Sequence, residues 1–438
     1  MNKKLLLSII FTFIVAGAIS AEFVFPLKVS KDSRYLEDQN GKAFLYNADT
    51  GWKLYFSLTK EEVMDYIQTR KSQGFTVIQT MLVLPGKENR DGVKPFKDDN
   101  DLSTLNAAYF DYVEWVLTYA EKENMLMAIV PMWISCCNDA WGGRGFPMQI
   151  NGKEKVKQFG EYVGKRYAHH KNIVWIIGGD NDPGVNREEL NELALAIKKN
   201  APAQLQTYHA ASTHSSTDVW EYPSWLDFSM VYTYFRGFNK AWNKNQPDVY
   251  EVSRAEYIKE KKMPFILGES TYEGEHGAWG SPLQARKQAW WCLLSGGFGH
   301  AYGSPLWAFP KNWREVMRYQ GAESLKHLYT FLTNLKWYEM KPDFDHHLII
   351  DGAGAFAAND WVTTSIAGDK SFSVSYLPSF RKLKIDLSVL EGNLFEITWY
   401  NPRTGEFLKA NENSIKKTIE LESPDTNDWV LFIKGKNI

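Results

Sequence analysis

Ile173-Val-Trp-Ile-Ile-Gly-Gly-Asp180-Asn181-Asp182 is the stretch on which the fold turns. An unbroken apolar run this short, closed by glycines, predicts a strand over Ile173 to Gly178 buried on both faces, as in a parallel sheet covered by helices. A second run of the same build, Pro264-Phe-Ile-Leu-Gly-Glu269-Ser270, also ends in a carboxylate. Outward from these two, similar runs recur at Phe44 to Ala48, Thr76 to Leu82, Leu126 to Pro131, Leu205 to His209, Phe228 to Tyr232 and Phe298 to Tyr302. With Ile173 to Gly178 and Phe265 to Gly268 they make eight, the number that closes a (β/α)8 TIM barrel. Helical patterns lie between them. Thr59 with Glu62 reads as a capping box and Gly74 as the stop of that helix. Asn186 with Glu189 opens another, Ser281-Pro282 a third, and Tyr109, Val113, Val116 and Ala120 share one helical face.

From about Asp345 the texture changes. Phe372 to Tyr376, Leu394 to Tyr400 and Trp429 to Ile433 read as strands separated by turn signals such as Asn401-Pro402-Arg403-Thr404-Gly405, with no long amphipathic helix among them. This predicts an antiparallel β-sandwich over 345–438, appended to a barrel over 21–344. Residues 1–20 have the build of a cleavable signal: Lys3 and Lys4, an apolar run from Leu5 to Val15, then Ala18-Ile19-Ser20. The mature chain is therefore expected near Ala21, in the periplasm or secreted, without a lipid-anchor cysteine.

The 438 residues carry 50 basic and 52 acidic side chains, a formal net charge of -2. No global field exists to hold nucleic acid or an anionic membrane surface, and no later apolar stretch approaches the ~20 residues of a spanning helix. Three cysteines, Cys136, Cys137 and Cys292, give no disulfide framework and too few ligands for a zinc site. His169-His170 and His346-His347 lack zinc-protease spacing, and the glycine-rich segment Ser295 to Gly303 lacks the lysine of a phosphate loop. The expectation is therefore a monomer with no cofactor and no metal.

Functional groups of a barrel gather where strands end on one rim. Asp180 and Glu269 qualify, and two carboxylates so placed are the equipment for cleaving a glycosidic bond. Asp182 is the alternative to Asp180 as the acid. Retaining chemistry would bring the two carboxyls to about 5–5.5 Å, with Asp180 the one that holds a proton near neutrality. Asn47-Ala-Asp49-Thr-Gly-Trp52 sets an acid and an indole at the same rim, Asp49 either gripping sugar hydroxyls or capping a helix. Gln79, His209, Tyr232, His300 and Tyr302 occupy equivalent strand ends, and Asn181 follows Asp180. Trp133, Trp175, Trp279 and Trp307 lie on or after such runs, where flat rings suit the faces of sugars. The substrate expected is an oligo- or polysaccharide. The rival reading is a non-catalytic carbohydrate-binding protein in which the same acids only bind hydroxyls.

These residues resemble the apiosidase-like group, glycoside hydrolase family 140 and its relatives, which act in bacterial polysaccharide degradation. The resemblance rests on Asn47-Ala-Asp-Thr-Gly-Trp52, Trp175-Ile-Ile-Gly-Gly-Asp180-Asn181, Gly268-Glu269-Ser270, and Gly299-His300-Ala-Tyr-Gly303 with Trp307. It implies a (β/α)8 barrel, Asp180 as general acid/base and Glu269 as nucleophile, and pectic side chains with apiosyl linkages as substrate. Another β-glycosidase specificity of the same barrel superfamily is the alternative. Tyr376-Leu-Pro378, Trp399-Tyr-Asn-Pro-Arg-Thr-Gly405 and Asp428-Trp-Val430 resemble a β domain that carries a collagen-binding label in related sequences.

Overall fold

A computed structural model of the protein describes residues 22–437 apart from 85, 100, 135–146, 237, 239–245, 411–414 and 416. The signal expected at 1–20, and Cys136 and Cys137, lie outside the described residues. Eight parallel strands form one sheet: β1 (Tyr46–Thr50), β2 (Val77–Met81), β3 (Leu126–Val130), β4 (Ile173–Gly178), β5 (Leu205–His209), β6 (Ser229–Tyr232), β7 (Phe265–Glu269) and β8 (Gly299–Tyr302). Each falls on its predicted run. Alternate side chains divide the core in two. Tyr46, Ala48, Val77, Ala128, Val130, Val174 and Ile176 share one buried cluster, while Ile78, Met127, Ile129, Ile173, Trp175 and Ile177 pack with the covering helices. The period of two along each strand thus sends one set inward and the other outward.

Helix starts follow their local chemistry. Thr59 and Glu62 make the reciprocal capping box of Lys60–Ser72, and Ser281 accepts from the Gln284 amide ahead of Pro282–Leu294. Helix Arg187–Asn200 begins after Asn186 as expected, but Asn186 makes no side-chain cap. A 3-10 turn over Gly184–Asn186 runs directly into this helix, so Asn186 lacks the extended backbone that capping needs.

The barrel closes at a seam. Strand order runs β5-β4-β3-β2-β1-β8-β7-β6, so β5 and β6 meet without a ladder between them. Bonds from flanking side chains and loop backbone do the joining instead. The Ser216 hydroxyl donates to the Tyr208 carbonyl at 2.6 Å and accepts from the Met230 amide at 2.8 Å. Asp227 accepts the Gln206 amide on its carboxylate at 2.7 Å and donates its own amide to the Gln206 carbonyl at 2.9 Å.

The C-terminal region is an antiparallel β domain of two sheets. Six strands run in the order Met340–Pro342, Thr363–Ala367, Phe372–Leu377, Trp429–Lys436, Leu394–Tyr400 and Phe407–Lys409, and three more pair as Ile349–Asp351, Lys382–Asp386 and Thr418–Glu422. Leu377, Ile397 and Leu431 of the first sheet meet Ile349, Leu383, Ile385 and Leu421 of the second in one core, the sandwich expected. This domain docks on helix Pro282–Leu294. Arg286 forks onto Asp428 at 2.7 and 2.9 Å, both side chains buried, and the Tyr376 hydroxyl donates to the same carboxylate at 3.0 Å. Trp290 stacks on Tyr376 with ring centroids 5.9 Å apart. The turn after Tyr400 faces helix Gln320–Thr333. Tyr400 donates to the His327 carbonyl, and a Cβ on Gly405, held at φ +77°, would sit 2.5 Å from the His327 ring.

Candidate active site

Asp180 and Glu269 stand at the carboxyl ends of β4 and β7, with β5 and β6 between them across the seam. The chain reaches Asp180 through Gly178 and Gly179 at φ +89° and +131°, and Asp180 itself sits in the left-handed region at φ +54°. A Cβ on Gly178 would lie 2.6 Å from the Tyr208 ring and one on Gly179 2.6 Å from Trp133. Two glycines are therefore required for the backbone to pass between these rings and turn the carboxylate over the barrel mouth. At β7, a bulge at Gly268 pairs Glu269 with Tyr232, where Leu267 pairs with Val231. One extra residue in the strand re-aims the carboxylate.

Hydrogen bonds cross between the strand ends. His209, fully buried, lies with Nε2 2.7 Å from Glu269 Oε2, and its Nδ1 lies 3.1 Å from the Asp180 backbone amide and 3.0 Å from the Ala210 carbonyl. Tyr272 donates to the other Glu269 oxygen at 2.6 Å and receives the Trp52 indole N–H at 2.7 Å. Tyr232 stands beside Asp180 and favours its charged form, less than burial opposes it. Burial, and then the neighbouring Glu269, push the Asp180 carboxyl up to about 7. For His209, burial opposes the charged ring, but Glu269 and Asp180 outweigh it and hold the ring above its usual value.

Asp182 belongs to a different group. Its carboxylate lies 2.9 and 3.0 Å from His214 Nδ1 and accepts the Ala211 amide, contacts that outweigh partial burial and hold it below the usual aspartate value. Asn181 shapes the turn between the two aspartates, its carbonyl accepting Tyr208 and its side chain the Asp182 amide.

Aromatic rings flank the acids. Trp133 packs against Trp52 at 5.1 Å and His209 at 5.4 Å. Trp279, 37% exposed, lies flat on Phe235 at 4.3 Å. Trp307 donates to Glu275 and carries Lys53 Nζ 4.6 Å above its ring. Other expected contacts lie elsewhere. Asp49 is wholly buried on the outer face of β1, with Arg70 forked on its carboxylate at 2.9 and 3.1 Å and Tyr66 donating a third bond. It neither faces the cleft nor caps a helix. His300 stands in register with Asn47 on that same outer side, and burial drives its ring down to about 3. Tyr302, in register with Asp49, donates to Glu273. Gln79 is buried within the barrel and donates to Tyr46. Trp175 is a buried outer-face residue bonded to Gln204. Sequence reasoning missed Tyr272, whose signal was its place three residues after Glu269, and Tyr234 and Phe235, which follow β6 and build the wall behind Trp279.

This combination has known relatives. The family described as "Apiosidase-like, catalytic domain" matches residues 30–339, and the one described as "Putative collagen-binding domain of a collagenase" matches 345–434. A solved structure described as a glycoside hydrolase superposes with a TM-score of 0.84 at 23% identity, covering 94% of this chain and 97% of its own. A glycoside hydrolase family 5 structure from Bacteroides vulgatus does so at 0.84 and 22%, covering 94% and 95%. Among curated proteins none matches the sequence.

Proposed function

The chain belongs to the apiosidase-like family, and from that premise we propose that it is an exported glycosidase that trims pectic side chains of plant cell walls at apiosyl linkages. In this reading Asp180 is the general acid/base and Glu269 the nucleophile. A single observation carries the roles: a carboxyl pushed up to about 7 stands among contacts shared with a second carboxylate whose two oxygens are both held by donors. A protonated acid can give its proton to the leaving oxygen, while an oriented carboxylate attacks the anomeric carbon. Water then attacks the glycosyl ester, Asp180 takes its proton, and Glu269 is released. The expected carboxyl separation is the retaining one, about 5–5.5 Å. His209 and Tyr272 hold Glu269 in line, and Trp133, Trp279 and Trp307 offer ring faces to the sugar. The signal-like segment 1–20 supports export, and the protein acts as a monomer.

The test is incubation of the mature protein with apiose-bearing pectic oligosaccharides and with a panel of aryl glycosides, the anomer followed by NMR in the first minutes. Release of apiose with retained configuration is expected. Cleavage of another glycoside alone would replace the substrate, and an inverted product would replace the mechanism.

A further inference from the structure

Far from the two acids, helix Ala107–Lys122 meets the turn that leads into β4. There Glu114, His169 and His170 bring one ligand atom each within 4.8 Å of the others. Glu114 Oε1 and His169 Nε2 are 3.4 Å apart. Two ligands on one tetrahedral zinc, bound at ~2.0–2.2 Å, would be separated by about the same distance. His170 is only 3% exposed, and its Nε2 has no hydrogen-bond partner. Its Nδ1 lies 3.2 Å from Glu121 Oε2. A carboxylate on one imidazole nitrogen fixes the proton there and leaves the lone pair of the other for an ion, the outer-shell arrangement of zinc-binding histidines. Arg166 grips Glu114 through the other oxygen, Oε2, at 2.6 Å and Asp111 at 2.5 Å, leaving Oε1 turned to His169. Asp111, Glu114 and Glu121 against Arg166 give this corner an excess of two negative charges, suited to a dication.

We propose that Glu114, His169 and His170 bind a transition-metal dication of the zinc type, with water completing the shell. Two imidazoles and one carboxylate select such an ion over calcium or magnesium, which prefer oxygen ligands. His169 and His170 precede β4, whereas Asp180 follows it, so the ion lies at the opposite end of the barrel from the acids and takes no part in their chemistry. It ties helix Ala107–Lys122 to the entry of β4. This inference stands apart from the proposed substrate.

Isothermal titration of the tag-free mature protein with zinc chloride, repeated on His169→Ala and Glu114→Gln, tests it, with thermal unfolding in parallel. His169 is 61% exposed, so its replacement leaves the core intact. One ion per chain is expected, with weakening by about tenfold or more in each variant and a zinc-dependent rise in Tm confined to the wild type. Binding no tighter than millimolar, or equal affinity in all three proteins, would overturn the site.

Discussion

Asp180→Asn offers a test of the acid that needs no substrate. Asparagine retains the shape of the side chain but cannot ionise. The wild-type carboxyl titrates at about 7 in the fold and near 3.8 when free. Between those values the native state keeps a proton that the unfolded chain has lost, so wild-type stability falls as pH rises through this window. The variant lacks that dependence. Roughly three pKa units at ~1.4 kcal/mol each set an upper limit of about 4 kcal/mol. Partial exposure of Asp180 and its coupling to Glu269 reduce the expected gain to about 1–3 kcal/mol. Urea denaturation of both proteins at several pH values reads it directly. The stability difference in favour of Asp180→Asn should be small near pH 4, grow towards pH 7 and then level off. A difference independent of pH would refute the claim that the fold holds this carboxyl protonated.

Three further outcomes follow from the same contacts. The alkaline limb of kcat/KM should break near pH 7 and fall about tenfold per unit above it, as the acid loses its proton; activity undiminished at pH 9 would remove Asp180 from that role. Asp180→Asn and Glu269→Gln should each lower turnover by several orders of magnitude with folding intact, whereas Asp182→Asn, which touches only His214 and a loop amide, should stay within about tenfold of wild type. Asp428→Ala strands the buried Arg286 guanidinium and should cost about 3–5 kcal/mol in denaturant unfolding; a loss below about 1 kcal/mol would mean the docking network is not under tension from burial.

Most of the barrel was legible because each strand is an apolar run bounded by glycine, proline or a polar residue, the pattern that burial on both faces imposes. The place of Asp180 and Glu269 at strand ends was legible because each closes an apolar run. Asp49, His300 and Tyr302 went astray through the same rule applied without regard to side-chain alternation. In Tyr46-Asn47-Ala48-Asp49-Thr50, an inward Ala48 sends Asp49 outward, where Arg70 from the next helix neutralises it. Trp175 errs in the same way between outward Ile173 and Ile177. Contacts between distant segments left no local trace. His169 and His170 show nothing in their spacing because Glu114 reaches them from another helix, and nothing in the spelling of Tyr376 and Arg403 says that both meet at the Asp428 carboxylate that holds Arg286 of the barrel.

The unladdered joint between β5 and β6 gives the proposed catalytic groups a second office. His209 hangs from β5 and holds Glu269 on β7, while Tyr232 on β6 lies beside Asp180 on β4, so both contacts span the joint from opposite sides. The candidate site is thus a clasp as well as a pair of acids. Elsewhere around the ring, backbone pairing sets the circumference, but here the strands are bridged through Ser216, Asp227 and the partners of Asp180 and Glu269. A sugar wedged between Asp180 and Glu269 would draw the clasp shut, and amide exchange at Gln206 and Met230 would slow when it is occupied. In that case the breathing of the barrel and the spacing of its acids would be one coordinate.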